Sequence, residues 1–170
     1  MKVQGFHGTS LTAAREIERR GFDASSNTYD WLGRGIYFWQ DAPMRAREWA
    51  EQHHSEPVVV AAEIDLDGCM DLLDIGWQRV IAERYTEFFD MVRRSGHQVP
   101  AQRAGAHRLD AGVMNFLVEV WYDEGVAIRS IRASFAEGVP VFPGSAILTR
   151  SHVQIAVREA AMITIVEMRR

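Results

Sequence analysis

Residues 58–66 constrain the fold more than any other stretch of the chain. Val58-Val59-Val60-Ala61-Ala62-Glu63-Ile64-Asp65-Leu66 is a nearly continuous apolar run, the pattern of a strand buried on both faces. Such a strand needs cover on two sides. Gly68 ends it. Residues 3–7 read as a short strand, and residues 11–20 as a helix with Leu11, Ala14 and Ile17 on one face. Ser10 or Thr12 can cap its start and Gly21 its end. The polar turn Ser25-Ser26-Asn27-Thr28 hands the chain to a strand over 35–39, and Pro43 precedes a helix over 44–53.

Further along, Trp77, Val80, Ile81, Tyr85, Phe88 and Val92 recur at intervals that keep them on one helix face. Val113, Phe116, Leu117, Val120 and Trp121 do the same, giving two amphipathic helices. Residues 127–135, 153–157 and 163–168 have strand character, with turns at Glu137-Gly138 and Pro143-Gly144. A β-α-β-α-β opening, a helical middle and a strand-rich end predict an α+β fold in one domain over 1–170. No Gly-x-Gly-x-x-Gly turn follows the first strand, which excludes a Rossmann domain.

Length and composition narrow the function classes. A chain of 170 residues buries a sufficient core without staples. The only cysteine, Cys69, cannot pair within the chain and reads as a small buried apolar residue. With no apolar signal core at the N-terminus, this predicts a reducing, cytoplasmic setting. No apolar run approaches the roughly 20 residues that span a bilayer, so no membrane contact is expected. His53-His54 beside Glu51 lacks zinc-protease spacing, and no metal is expected. The net charge of −4 gives no global attraction to a polyanion. Between Asp90 and Asp110, however, lie Arg93, Arg94, His97, Arg103, His107 and Arg108 with no acid among them. The segment reads either as a solvated loop or as a local patch for nucleic acid.

Three short segments carry the chemistry. Phe6-His7-Gly8-Thr9 and Gly33-Arg34-Gly35-Ile36-Tyr37-Phe38-Trp39 each join a strand-like apolar run to a small residue and a polar or aromatic group, the composition that lines a ligand cleft. Glycine allows close backbone approach to a planar ligand, and the Thr9 hydroxyl adds a donor. In Ser151-His152-Val153-Gln154-Ile155-Ala156-Val157-Arg158, the apolar Val153, Ile155 and Val157 alternate with Gln154, Ala156 and Arg158. One face is therefore core and the other faces a cleft or water.

The order and spacing of these segments resemble the ADP-ribosyltransferases of the poly(ADP-ribose) polymerase and diphtheria-toxin type. The likeness covers about half the chain: the first fifty residues, and 109–157 with Phe135-x-Glu137-Gly138-x-Pro140-Val141-Phe142-Pro143. Residues 67–108 match nothing in it. The resemblance implies a split two-sheet core flanked by helices, with NAD as co-substrate and no metal. It implies that His7 donates to the adenosine-side ribose, Gly8 and Thr9 hold the nicotinamide amide, and Tyr37 stacks on the ring. Trp49, in Arg45-Ala46-Arg47-Glu48-Trp49-Ala50, becomes the second aromatic face, and Gly35 and Ala46 complete the NAD-binding set. Two rings around a cationic pyridinium gain stacking and cation–π energy of about 1 kcal/mol each.

Gln154 falls where the active polymerases carry a glutamate, so the catalytic set reads His7, Tyr37, Gln154. Breaking the nicotinamide bond builds positive charge on the ribose, which a carboxylate stabilises and a glutamine cannot. Single transfer is therefore expected, not polymer elongation, with Glu137 or Glu159 as nearby acids. The acceptor is a macromolecule, protein or nucleic acid, as for toxins and defence effectors of this fold, with a neutralising antitoxin as the expected partner. Two other readings stay open: a non-catalytic NAD or ADP-ribose binding module, and an NAD-consuming RNA 2′-phosphotransferase.

Overall fold

Ser10 ends the first strand, β1 (Lys2–Ser10), and starts the first helix, α1 (Leu11–Arg20). Its hydroxyl accepts from the Ala13 N–H at 3.1 Å, the N-cap geometry expected of serine. Gly21 closes the helix at φ 83° and donates its N–H to the Ile17 carbonyl, a backbone state open to glycine at little cost. The computed structural model describes residues 1–25, 27, 30–101 and 107–169. Ser26 and Thr28 of the expected turn, and Arg103 of the basic segment, lie outside these.

After α1 come β2 (Ile36–Gln40), α2 (Pro43–His53), β3 (Pro57–Asp65), β4 (Cys69–Asp71), α3 (Ile75–Arg94) and α4 (Arg108–Asp123). The chain ends in β5 (Ser130–Phe135), β6 (His152–Val157), a 3-10 turn at Ala160–Met162 and β7 (Ile163–Arg169). Among the described residues the protein is α+β, with four helices and one seven-stranded mixed sheet in the order β4-β5-β6-β2-β1-β3-β7. All pairs are antiparallel except β4 with β5. The strand β4 has three residues, too few to show a period.

The expected division into two sheets is not what the backbone makes. Hydrogen bonding runs through all seven strands, because β1 meets β2 at Gly5↔Gln40 and Phe6↔Trp39. That joint is narrow. On its other edge β1 pairs with β3 along its whole length, from Lys2↔Asp65 to Ser10↔Pro57, so beyond Phe6 and Trp39 the two central strands part.

Helices cover both faces. Val58 and Val60 of β3 pack on Ala14 and Ile17 of α1, while Val59 and Ala61 turn to the opposite face with Phe6, Trp39 and Ala46 of α2. The run 58–62 is buried throughout, as a strand covered on both sides must be. At the other end of the sheet, Phe88, Val92, Val113, Leu117 and Trp121 of α3 and α4 close over Met70, Ile131, Ala133 and Ala156. Both long helices thus sit on the same side as α2, leaving a gap above β2 and β6.

Candidate active site

The gap is a cavity of about 820 Å³, within the size range of small-molecule sites. Its walls come from the end of β1 (His7, Gly8), the segment before β2 (Asp30, Trp31, Gly35), and β2 itself (Tyr37, Trp39). Others come from α2 (Arg45, Trp49, His53), the residue that precedes α4 (His107), Phe135 at the end of β5, Glu137 just beyond it, and β6 (Gln154), with Asp23 from the segment after α1. The three motifs, 147 residues apart at their extremes (His7 to Gln154), converge on one hollow because β1, β2 and β6 are neighbours in the sheet.

His7 bridges the parting of the strands. Its Nδ1 lies 2.9 Å from the Tyr37 carbonyl, so Nδ1–H donates there, and its ring packs edge-on to Phe22 at 5.3 Å. Burial pushes its pKa below the ordinary 6.5, against the Tyr37 bond that favours the charged form. A neutral imidazole with Nδ1 occupied presents Nε2 as an acceptor. A ribose hydroxyl would therefore donate to His7, the reverse of the expected direction.

Gly8 is demanded by packing: a Cβ there would collide with the Ala46 carbonyl. Ala46 is fully buried, and its part is to let α2 lie against β1. Thr9 is also buried. Neither Ala46 nor Thr9 is among the residues lining the cavity. Gly35 does line it, although a Cβ at Gly35 would press on Ala156 at 3.0 Å, so β6 also requires glycine there.

The Tyr37 hydroxyl is committed to the protein. It donates to the Gly33 carbonyl at 2.7 Å and accepts from the Leu32 N–H at 3.0 Å. Burial, then the charge of Asp30, pushes its pKa up, so it stays a neutral phenol. It fixes the 30–35 segment while its ring borders the cavity. Gly33, at φ 78°, is pressed against α4: a Cβ would sit 2.5 Å from Asn115 Oδ1.

Trp49 lies across α2, stacked on His53 at 4.2 Å and 6.0 Å from Trp39. His53 Nδ1 is 2.8 Å from the Trp49 carbonyl, so that histidine braces the tryptophan through both its ring and its hydrogen bond. Among the described residues, no three His, Cys, Asp or Glu side chains gather as a metal site. No described helix is long and apolar enough to cross a membrane.

Gln154 faces the cavity beside Trp39, its register partner. Its Oε1 accepts from the Trp31 indole N–H at 3.1 Å, which leaves the amide N–H groups as its polar function toward a ligand. Of the two acids considered, Glu137 lines the cavity and pairs with Arg45 at 2.9 Å. Glu159 pairs with Arg129 at 3.6 Å and is not in the wall. Asp30, unlike those two exposed acids, is buried; burial raises its pKa against hydrogen bonds from Ser25 and the Asn27 N–H.

Asp23, Asp30 and Glu137 outnumber Arg45 in the wall, so the field favours a cationic ring over an anion. Trp31 and Asp30 escaped sequence reading, because single aromatic or charged residues in a loop carry no period, and Arg45 was not singled out on its helix. In the basic segment, Arg93 and Arg94 end α3 and Arg108 begins α4, while His107 reaches the cavity.

No protein-family model matches this sequence, and no curated protein is significantly similar to it.

Proposed function

We propose that the chain is an NAD-dependent mono-ADP-ribosyltransferase acting on a macromolecular acceptor. The observation that carries the reading is the convergence of His7, Tyr37, Trp49 and Gln154 on one cavity at the parting of β1 and β2. The narrow β1–β2 joint is what remains, in this reading, of the divided core of the transferases. NAD supplies an ADP-ribosyl group whose bond to nicotinamide breaks with positive charge growing on the ribose.

The residues suit that group. His7 Nε2 takes a hydroxyl proton, the Tyr37 and Trp49 rings face a cationic aromatic, and the Gln154 amide donates to a ribose hydroxyl. Glu137, tethered by Arg45, supplies the nearby negative charge that Gln154 lacks. An amide at this position supports single transfer to a good nucleophile.

The experiment is incubation of the protein with adenine-labelled NAD and, separately, cell protein, RNA and single-stranded DNA. Label moving to one pool with release of nicotinamide is the expected result. The neutrality of Gln154 and its bond to Trp31 favour one alternative, a module that binds NAD without cleaving it. Saturable NAD binding with no nicotinamide released in any pool selects that alternative.

A further inference from the structure

Most half-buried arginines of this chain meet a carboxylate. Arg45 reaches Glu137 at 2.9 Å, Arg84 reaches Glu124 at 2.8 Å and Arg132 reaches Asp71 at 2.7 Å. Arg158, at the end of β6, does not. Its Nη1 donates to the Arg34 carbonyl at 2.9 Å and to Asn115 Oδ1 at 3.2 Å, both neutral acceptors. Asn115 Oδ1 also accepts from the Arg34 N–H at 2.9 Å.

The backbone of Arg34 is thereby clamped between α4 and β6 while its guanidinium is exposed. Burial, and after it the charge of Arg34, holds the Arg158 guanidinium below its ordinary pKa. Among the described residues neither Arg34, Arg158 nor Arg108 forms an ion pair. Arg108 lies three residues before Ala111 and seven before Asn115, so it shares their stripe of α4; the Ala111 carbonyl and the Asn115 side chain both abut Gly33. A half-buried cation without a counter-ion costs stability. Arg34 precedes the cavity-lining Gly35, Arg108 follows the cavity-lining His107, and Trp31, Trp39 and Trp49 line the same cavity; cations next to aromatic walls are the make-up of a single-strand groove, where backbone phosphates meet arginine and bases meet aromatic faces.

We propose that Arg158, Arg34 and Arg108 form a phosphate-binding seam that seats single-stranded nucleic acid at the rim of the cavity. The assignment of nucleic acid as the acceptor class rests on the transferase reading; the seam itself does not.

The test is fluorescence anisotropy of labelled RNA and DNA single strands of about 12 nucleotides, titrated with protein between about 50 and 200 mM salt. Three contacts predict a slope of log K against log salt of about −2, at about −0.7 per contact on a single strand. In the double variant Arg34→Gln, Arg108→Gln the slope falls to about −0.7 and the Kd rises at least tenfold at low salt. Melting temperatures serve as the folding control, since neither substituted side chain hydrogen-bonds or ion-pairs among the described residues. A double variant with native affinity and slope overturns the seam, and so does a native protein with no salt-dependent binding to either strand. The tighter arm shows whether the 2′-hydroxyl is read. Nicotinamide release is scored in parallel: arginine-dependent binding without NAD cleavage keeps the seam and removes the transferase reading. Label appearing on protein alone overturns the acceptor assignment.

Discussion

Tyr37 separates two jobs that one side chain performs. Its hydroxyl ties Leu32 and Gly33, and its ring borders the cavity. Tyr37→Phe keeps the ring and leaves a buried N–H and carbonyl without their partner, a loss of about 2 kcal/mol. The expected outcome is a lower melting temperature and a raised KM for NAD with kcat little changed, because the loop loosens while the stacking face survives. Gln154 gives the complementary case. Its Oε1 acts only as an acceptor toward Trp31, a bond that a carboxylate can also make, so Gln154→Glu fits the same place and adds charge where the proposed reaction would make the ribose positive. Nicotinamide release should rise about tenfold or more, given the usual size of electrostatic terms in such sites. An unchanged or lower rate in a folded variant sets Gln154 aside as the missing-glutamate position.

At the scale of elements, the closeness of α2 to β1 depends on Gly8. Gly8→Ala drives a Cβ into the Ala46 carbonyl, backbone against backbone with no flexible side chain to yield. A cost of about 2 to 3 kcal/mol follows, or roughly 5 to 10 °C in melting temperature for a domain this size. Trp49 and Arg45 ride on α2, so NAD affinity should fall with stability. The helices and strands were legible in the sequence where a period or a cap existed: Ser10 capping α1, the doubly buried run in β3, the stripes of α3 and α4. The three-residue β4 and the continuity of the sheet were not. Two register pairs, Gly5↔Gln40 and Phe6↔Trp39, decide between one sheet and two, and their side chains read the same either way. Within the site, His7 and Gly8 of β1, Tyr37 of β2 and Gln154 of β6 line the cavity, as their motifs suggested. Thr9 and Ala46 went astray because motif adjacency does not tell which side of a strand or helix meets the cavity.

For the whole molecule, half-buried His7 and buried His152 bear on stability in acid. His7 and His152 both titrate below the ordinary 6.5, first because burial disfavours their charged forms. The unfolded chain therefore binds more protons than the folded one as pH falls through 6.5 and toward the depressed values, and stability drops over that window. Above it both forms are neutral and the effect vanishes. The urea midpoint should be flat above about pH 7 and decline from pH 6.5 toward pH 5. His152→Phe, which retains the stack on Phe135, should make the decline shallower. A midpoint that rises on acidification contradicts the neutral state assigned to His7 and, with it, the acceptor role of Nε2. The central claim is that the hollow at the parting of β1 and β2 takes NAD and breaks its nicotinamide bond. Its most direct test is nicotinamide release by the native protein and by His7→Ala at neutral pH. The expected result is release by the native protein and a loss of at least tenfold in the variant at an unchanged fold. Equal release by both, or none by a folded native protein that is saturated with NAD, contradicts the claim.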